Sequence, residues 1–200
     1  MPTAVTEAPY RVVPVEPARK RWTRVECQAL ETTGLLEDQK LELVDGELIS
    51  KRGPKRPHVN ALTFAMAGLI RIFGAEFINP HAPIDVAAED NPTNEPEPDI
   101  IVLKRPSREI KKANPQPADL HLVVEVSDTS LGFDLTKKAA LYARAGIVEY
   151  WALDVAACRL VVHREPMGGR YASVAVYGEP ETIAPLAAPH AEFRVADAFL

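Results

Sequence analysis

The hydrophobic positions along this chain switch between helical and strand-like spacing, and the order of the switches outlines an α/β domain. The stretch from Trp22 to Leu36 reads as a helix, with Thr23 in the N-cap place, Glu26 three residues on and Gly34 as the stop. Residues 41–49 alternate around Asp45-Gly46, and Asp-Gly is the strongest short signal for a hairpin. Pro57 to Phe73 returns to helical spacing, with Val59, Leu62, Met66, Leu69, Ile70 and Phe73 on one apolar face. Short strand-like runs follow at 76–79, 84–88, 99–103 and 120–126. A helix over 134–145 is closed by Gly146, and further strands are expected at 148–154, 159–164 and 170–176. The C-terminal stretch, rich in Pro and Ala, should form an edge and a cap. This order predicts an α/β fold with a mixed central β-sheet flanked by helices, preceded by an N-terminal helix and a β-hairpin.

A length of 200 residues and an apolar fraction of 46% suffice for one core. Residues 1–19, with four prolines and few large aliphatics, are expected as a flexible arm, and 20–200 as a single domain. The net charge of -5 argues against a basic nucleic-acid coat, but the charge is uneven. Residues 85–99 hold acids and no Lys or Arg, whereas Lys51, Arg52, Lys55 and Arg56 cluster in one loop and Lys104–Lys112 forms a second basic patch. Cys27 and Cys158 stand far apart with no CxxC, so neither a disulfide framework nor a zinc knuckle is implied. No apolar stretch approaches 18 residues and no leader pattern opens the chain; the expectation is a cytoplasmic protein with no membrane partner. GxSxG, Walker A, GxGxxG and HExxH are all absent, which leaves serine hydrolase, NTPase, Rossmann and zincin chemistries unsupported.

Two carboxylates interrupt the apolar runs. Asp99 opens Asp-Ile-Ile-Val-Leu103, and Glu125 sits near the end of Leu-His-Leu-Val-Val-Glu-Val126. A carboxylate buried in a strand is costly unless something positive compensates it. Their separation of 26 positions allows a strand, a loop and an antiparallel return, which would bring the two acids together. Paired acids beside a cation are a usual way to hold a divalent metal over a phosphate, and the Val126 carbonyl is a natural further oxygen ligand. The place two residues after Glu125, where a lysine commonly stands in such sites, holds Ser127. The next helix supplies Lys137 and Lys138, either of which could reach back. Glu42 or Glu47 beside the hairpin turn could add an acid, and His58 at the start of the long helix could meet a phosphate or a carboxylate. Capping explains Asp128 and Ser130, and Asp134 reads as a plain helix-start acid.

Several segments, taken in order, resemble the Uma2 family of restriction-endonuclease-like proteins within the PD-(D/E)XK nuclease superfamily. They are Leu41-Glu-Leu-Val-Asp-Gly-Glu-Leu48, Pro57-His58, Glu97-Pro-Asp99, Val123-Val-Glu-Val-Ser-Asp-Thr-Ser130, Lys138-Ala-Ala-Leu-Tyr-Ala-Arg-Ala-Gly-Ile147 and Glu149-Tyr-Trp151. The resemblance implies a restriction-endonuclease-like core with a divalent-metal site. It places the motif acids at Asp99 and Glu125 and the active-site lysine, displaced from strand to helix, at Lys138. It also points to Glu42 as an accessory acid.

The expectation is therefore an endonuclease using Mg²⁺ or Mn²⁺ on DNA. Asp99, Glu125 and Lys138 would be catalytic, and Asp99, Glu125, the Val126 carbonyl and Glu42 would serve the metal. Lys51, Arg52, Lys55, Arg56 and His58 would lie along the nucleic acid, with the Lys104–Lys112 patch holding further phosphates. A homodimer is an open expectation, as this superfamily frequently dimerises. The alternatives are a non-catalytic nucleic-acid-binding or assembly module on the same fold, and a hydrolase of a small phosphoester.

Overall fold

The computed structural model describes residues 17–36, 39–51, 53 and 55–199, so Arg52 and most of the expected arm lie outside the described residues. Helix α1 (Arg24–Glu31) begins at a reciprocal capping box of Thr23 and Glu26, as expected, but ends early. The hydroxyls of Thr32 and Thr33 donate back to the Ala29 and Leu30 carbonyls, and Gly34 turns the chain at φ 76°. Strands β1 (Leu41–Val44) and β2 (Glu47–Ser50) form the hairpin. Asp45 and Gly46 both have positive φ, 49° and 73°, the combination a two-residue turn matched to strand twist requires. A side chain at Gly46 would also meet Arg21 Cβ at 2.8 Å. Helix α2 (Arg56–Phe73) has Pro57 in its first turn, where the missing N–H costs nothing, and stops at Gly74.

Six strands form the central sheet in the order β3 (Ile78–Pro80), β4 (Ile100–Leu103), β5 (Leu120–Ser127), β6 (Glu149–Asp154), β7 (Arg159–Met167) and β8 (Arg170–Gly178). Neighbours are antiparallel except β5 and β6, which are parallel. A parallel pair needs a crossover. Here it is α3 (Leu131–Phe133), a π-helical turn at Asp134–Lys138, and α4 (Ala139–Arg144). A short pair, β9 (Thr182–Ile183) and β10 (Phe193–Arg194), completes the C-terminal cap.

Both faces of the sheet are covered, which is why β4 and β5 read as continuous apolar runs. Ala65 and Leu69 of α2 pack on Ile100, Val102, Leu122, Val124 and Trp151. Ala139, Tyr142 and Ala143 of α4 pack on Ile101, Val123, Tyr150 and Ala152 on the other side. Full burial of each large side chain is worth about 1.5–3 kcal/mol, so these two layers dominate the stability of the sheet. One expected strand is absent: residues 84–87 join no ladder and Ala88 begins a turn. Ile84 and Val86 are buried, while the 84 and 85 amides donate to the Pro96 and Pro115 carbonyls and that of Val86 to Asn91 Oδ1. Apolar alternation reported burial there, and loop acceptors took the place of a partner strand.

Candidate active site

The register of the sheet brings the two strand acids together. Ile100 lies opposite Val124 in the antiparallel β4/β5 pair. One step beyond, Asp99 comes opposite Glu125, on the face that carries Ile101, Val123 and α4. The Val126 amide donates to Asp99 Oδ2 at 2.7 Å, in the gap left where β4 has ended. N–H and C=O of one residue in a ladder point to the same edge, so the Val126 carbonyl faces that gap as well.

Asp99 is bracketed by two histidines. His58 Nε2, at the N-terminal end of α2, lies 3.5 Å from Oδ2, and His81 Nδ1 lies 3.6 Å from Oδ1. Burial works to raise the Asp99 pKa, but the contacts from His58 and the Val126 amide outweigh it and hold the carboxyl below its ordinary value. The same bond to Asp99 raises His58.

Glu125 is buried and turned toward the crossover helix. Its Oε1 accepts from Lys138 Nζ at 2.9 Å and from the Tyr142 hydroxyl at 2.7 Å. Lys138 and Tyr142 are one turn apart, so both reach the same oxygen from one helix face. Lys138 Nζ also lies 2.9 Å from Glu42 Oε1, which places the ammonium between the two glutamates. Burial alone would lower the pKa of this lysine, but Glu125, Glu42 and Asp134 outweigh it and raise it. One ammonium among so many acids leaves Glu125 short of positive charge. Burial first, then Asp134, Asp99 and Glu42, push its carboxyl up to about 8 against the pull of Lys138. Burial and the adjacent Glu125 likewise keep the Tyr142 hydroxyl protonated, as a donor.

The hairpin delivers Glu42 because its turn is docked on the loop leading to Asp99. The Asp45 amide donates to Asn94 Oδ1, the Gly46 amide to the Thr93 carbonyl and the Glu95 amide to the Leu43 carbonyl. Asn94 is itself buried, and its amide group donates to the Asp90 carbonyl. Glu42 Oε2 then accepts from the Glu97 amide at 3.2 Å.

The expected nucleic-acid rim is divided. Lys55 and Arg56 are exposed at the start of α2, and His58 is turned inward onto Asp99. Lys51 is already engaged: its Nζ donates to the Glu97 carbonyl at 2.6 Å and lies 3.3 Å and 3.4 Å from the Glu97 and Glu42 carboxylates. A charge run in the sequence does not reveal which cations face acids. The Lys104–Lys112 patch leaves β4 at the end opposite Asp99, since Lys104 follows Leu103. The strand between them separates Asp99 from Lys104, where the patch begins, by about 17 Å at ~3.3 Å per residue.

Sequence reasoning gave His81 no role, noted Tyr142 only as sharing a face with Lys138, saw Ser127 only as the place of a missing lysine, and took Asp134 for a plain helix-start acid. His81 owes its place to a left-handed turn at φ 48°, and Tyr142 is a core aromatic with a polar tip. Asp134 and Ser127 are buried and bonded to each other at 2.7 Å. Helical spacing of Lys138 and Tyr142 was the one signal available for any of them.

Among the described residues, no group of three or more His, Cys, Asp or Glu side chains is gathered to hold a metal ion. The donor chemistry nonetheless fits a small hard cation. Magnesium takes one or two protein carboxylates and completes its shell with water and substrate oxygens. Asp99, Glu125 and the Val126 carbonyl supply such oxygens, and no soft ligand intrudes.

Residues 25–196 match the model of the Uma2 family, described as "Putative restriction endonuclease". The chain belongs to the Uma2 family. The fold of this Uma2 chain is also that of a crystal structure described as a putative nuclease belonging to DUF820 from Anabaena variabilis. That match has a TM-score of 0.64 and 17% identity, and covers 81% of this chain and 90% of that one; at such identity it speaks for the fold alone. No curated protein matches the chain. No helix among the described residues of this Uma2 protein is long and apolar enough to cross a membrane.

Proposed function

We propose that this Uma2 chain is an endonuclease that hydrolyses phosphodiester bonds in DNA with the help of Mg²⁺ or Mn²⁺. The observation that carries the reading is the joint placement of Asp99 and Glu125 on one sheet face, with the Lys138 ammonium held against Glu125. Asp99, Glu125 and the Val126 carbonyl would hold the metal, with Glu42 as an accessory acid that keeps Lys138 in place. When bound, such an ion polarises a phosphoryl oxygen and lowers the pKa of a water. Lys138 keeps its proton, so its role is to offset negative charge that develops on the phosphoryl group and to orient the attacking water. His58 fixes the Asp99 carboxylate from the α2 side. Lys55 and Arg56 sit exposed near that end of the helix, where they can neutralise flanking phosphates despite the net negative charge of the molecule.

The test is cleavage of plasmid and single-stranded DNA with each metal, wild type beside Glu125→Ala. Cutting that needs both the metal and Glu125 supports the reading. Salt-sensitive DNA binding without cutting in either protein would replace it with a non-catalytic binding module. Competition by free nucleotides with no cutting of polymers would replace it with a small-phosphoester hydrolase.

A further inference from the structure

We infer that Ser127 and Asp134 are positioning residues for Lys138: their buried bond ties the crossover helix to the end of β5 and sets the reach of the lysine. This rests on the proposed role of Lys138, and it assigns a purpose to the serine that stands where a strand lysine would otherwise be.

Asp134 is not a cap. Its carboxylate is buried, and its Oδ2 accepts from the Ser127 hydroxyl at 2.7 Å and the Ser130 hydroxyl at 2.6 Å, not from the free amides of a helix start. Its backbone carbonyl accepts from the Tyr150 hydroxyl of β6 at 3.1 Å. Ser127 is wholly buried, and its own carbonyl accepts from the Val155 amide just beyond β6. Asp134 is thus fastened to β5 through its side chain and to β6 through its backbone. These are the two strands whose parallel pairing the helix must bridge.

Lys138 lies four residues on, at the end of the π-helical turn that begins at Asp134. Its side chain must place Nζ at 2.9 Å from two carboxylates brought by different elements, Glu125 on β5 and Glu42 on the hairpin. A π turn is a wider, locally adjustable segment, common at functional sites. A helix carrying one needs an external fix if a long flexible side chain on it is to hold one geometry. Ser127 is only two residues from Glu125, so the tether and the carboxylate move as one piece of strand. Burying the Asp134 carboxylate costs free energy that burial in a plain helix start would not require. The return is a fixed distance between strand and lysine.

The test uses the full chain with Ser127→Ala, Asp134→Asn and their double, and Thr136→Ala as a control, because the Thr136 hydroxyl bonds only within its own helix at an exposed position. The first readout needs no activity: acetylation of Lys138 under limiting reagent, read by mass spectrometry against exposed Lys137. In the wild type Lys138 should be protected. In both tether variants its labelling should rise while cooperative unfolding is retained, and in the control it should not. The second readout is kcat against KM on a cleavable DNA. The tether variants should lose about 10–100-fold in kcat with KM nearly unchanged, the range for supporting residues of a metal site. The double should be no worse than the poorer single variant, since one bond is shared. Should Ser127→Ala fail to fold, the nearly isosteric Asp134→Asn carries the test. Unchanged protection of Lys138 in a folded tether variant would overturn the inference whether or not the protein cuts DNA. A wild type that never cuts would instead count against the nuclease reading and leave the labelling result standing.

Discussion

Lys138 Nζ meets Glu125 Oε1 at 2.9 Å from a different secondary-structure element, across 13 residues of chain. The strand position two residues after Glu125 holds Ser127, so the cation arrives from the helix side and lies between Glu125 and Glu42. A buried ion pair of this kind is weak evidence for stability in itself, but removing one partner leaves the other charge uncompensated.

Lys138→Met should therefore cost on the order of 3–5 kcal/mol in urea unfolding, more than Glu125→Gln. The reason is that Lys138→Met removes the ammonium held between Glu42 and Glu125, whereas Glu125→Gln leaves Lys138 paired with Glu42. Both substitutions should reduce cleavage by at least about 10²-fold if Lys138 stabilises charge and Glu125 serves the metal. The ordering of stability and the shared loss of activity separate this arrangement from a purely structural pair, in which activity would follow the folded fraction alone.

His163 offers a pH dependence of its own. It is buried beside the rings of Tyr150 and Tyr171, and its Nδ1 has no hydrogen-bond partner among the described residues. Burial lowers its pKa below the ordinary 6.5, only partly opposed by backbone carbonyls. The unfolded chain then binds the proton more readily than the folded one, so stability falls as pH drops below 6.5 and levels off below the lowered folded-state value. Above 6.5 the group contributes no slope. His163→Phe should remove this component, so that the stability difference between about pH 5 and pH 7.5 shrinks. A variant with the same pH slope as wild type would show that other groups cause it.

Much of this arrangement was legible in the sequence, for identifiable reasons. Asp45-Gly46 named its turn because only such residues accept two positive φ values in succession. Asp99 and Glu125 stood out because a carboxylate inside a β-branched run contradicts its surroundings. Residues 84–88 misled because apolar alternation records burial and is silent on pairing. Lys51 looked like rim until the hairpin placed it over Glu97 and Glu42. Asp134 was invisible because a helix-start acid and a buried tether share the same local sequence; only the approach of Ser127 tells them apart.

Glu149, which opens β6 fully buried, is expected to hold the C-terminal cap. Its Oε1 accepts from Trp151 Nε1 at 3.0 Å and from Arg164 Nε and Nη2 at 2.9 Å and 2.6 Å, and its Oε2 accepts from the Leu186 amide. Arg164 also donates to the Ala184 carbonyl, so both partners reach the same segment. Glu149→Gln should destabilise by about 2–4 kcal/mol, because the guanidinium loses its charge partner in a mostly dry setting. Hydrogen exchange should rise first over 182–195. Uniform loosening of the whole sheet would argue against a clamp on the cap.

The division of the basic loop predicts that its cations are not equivalent on DNA. Lys55 and Arg56 are exposed, so Lys55→Ala and Arg56→Ala should each weaken binding evenly across sequences and reduce the salt slope by about 1. Lys51 is neutralised by Glu97 and Glu42 before any phosphate approaches, and its bond to the Glu97 carbonyl braces the segment that leads into Asp99. Lys51→Ala should leave the salt slope nearly unchanged and lower the melting temperature instead. Fluorescence anisotropy of a labelled duplex at several salt concentrations, beside thermal melts, distinguishes the two behaviours. A full unit of slope lost in Lys51→Ala would mean that DNA pulls the ammonium away from its acids, and the rim would then extend into the active site itself.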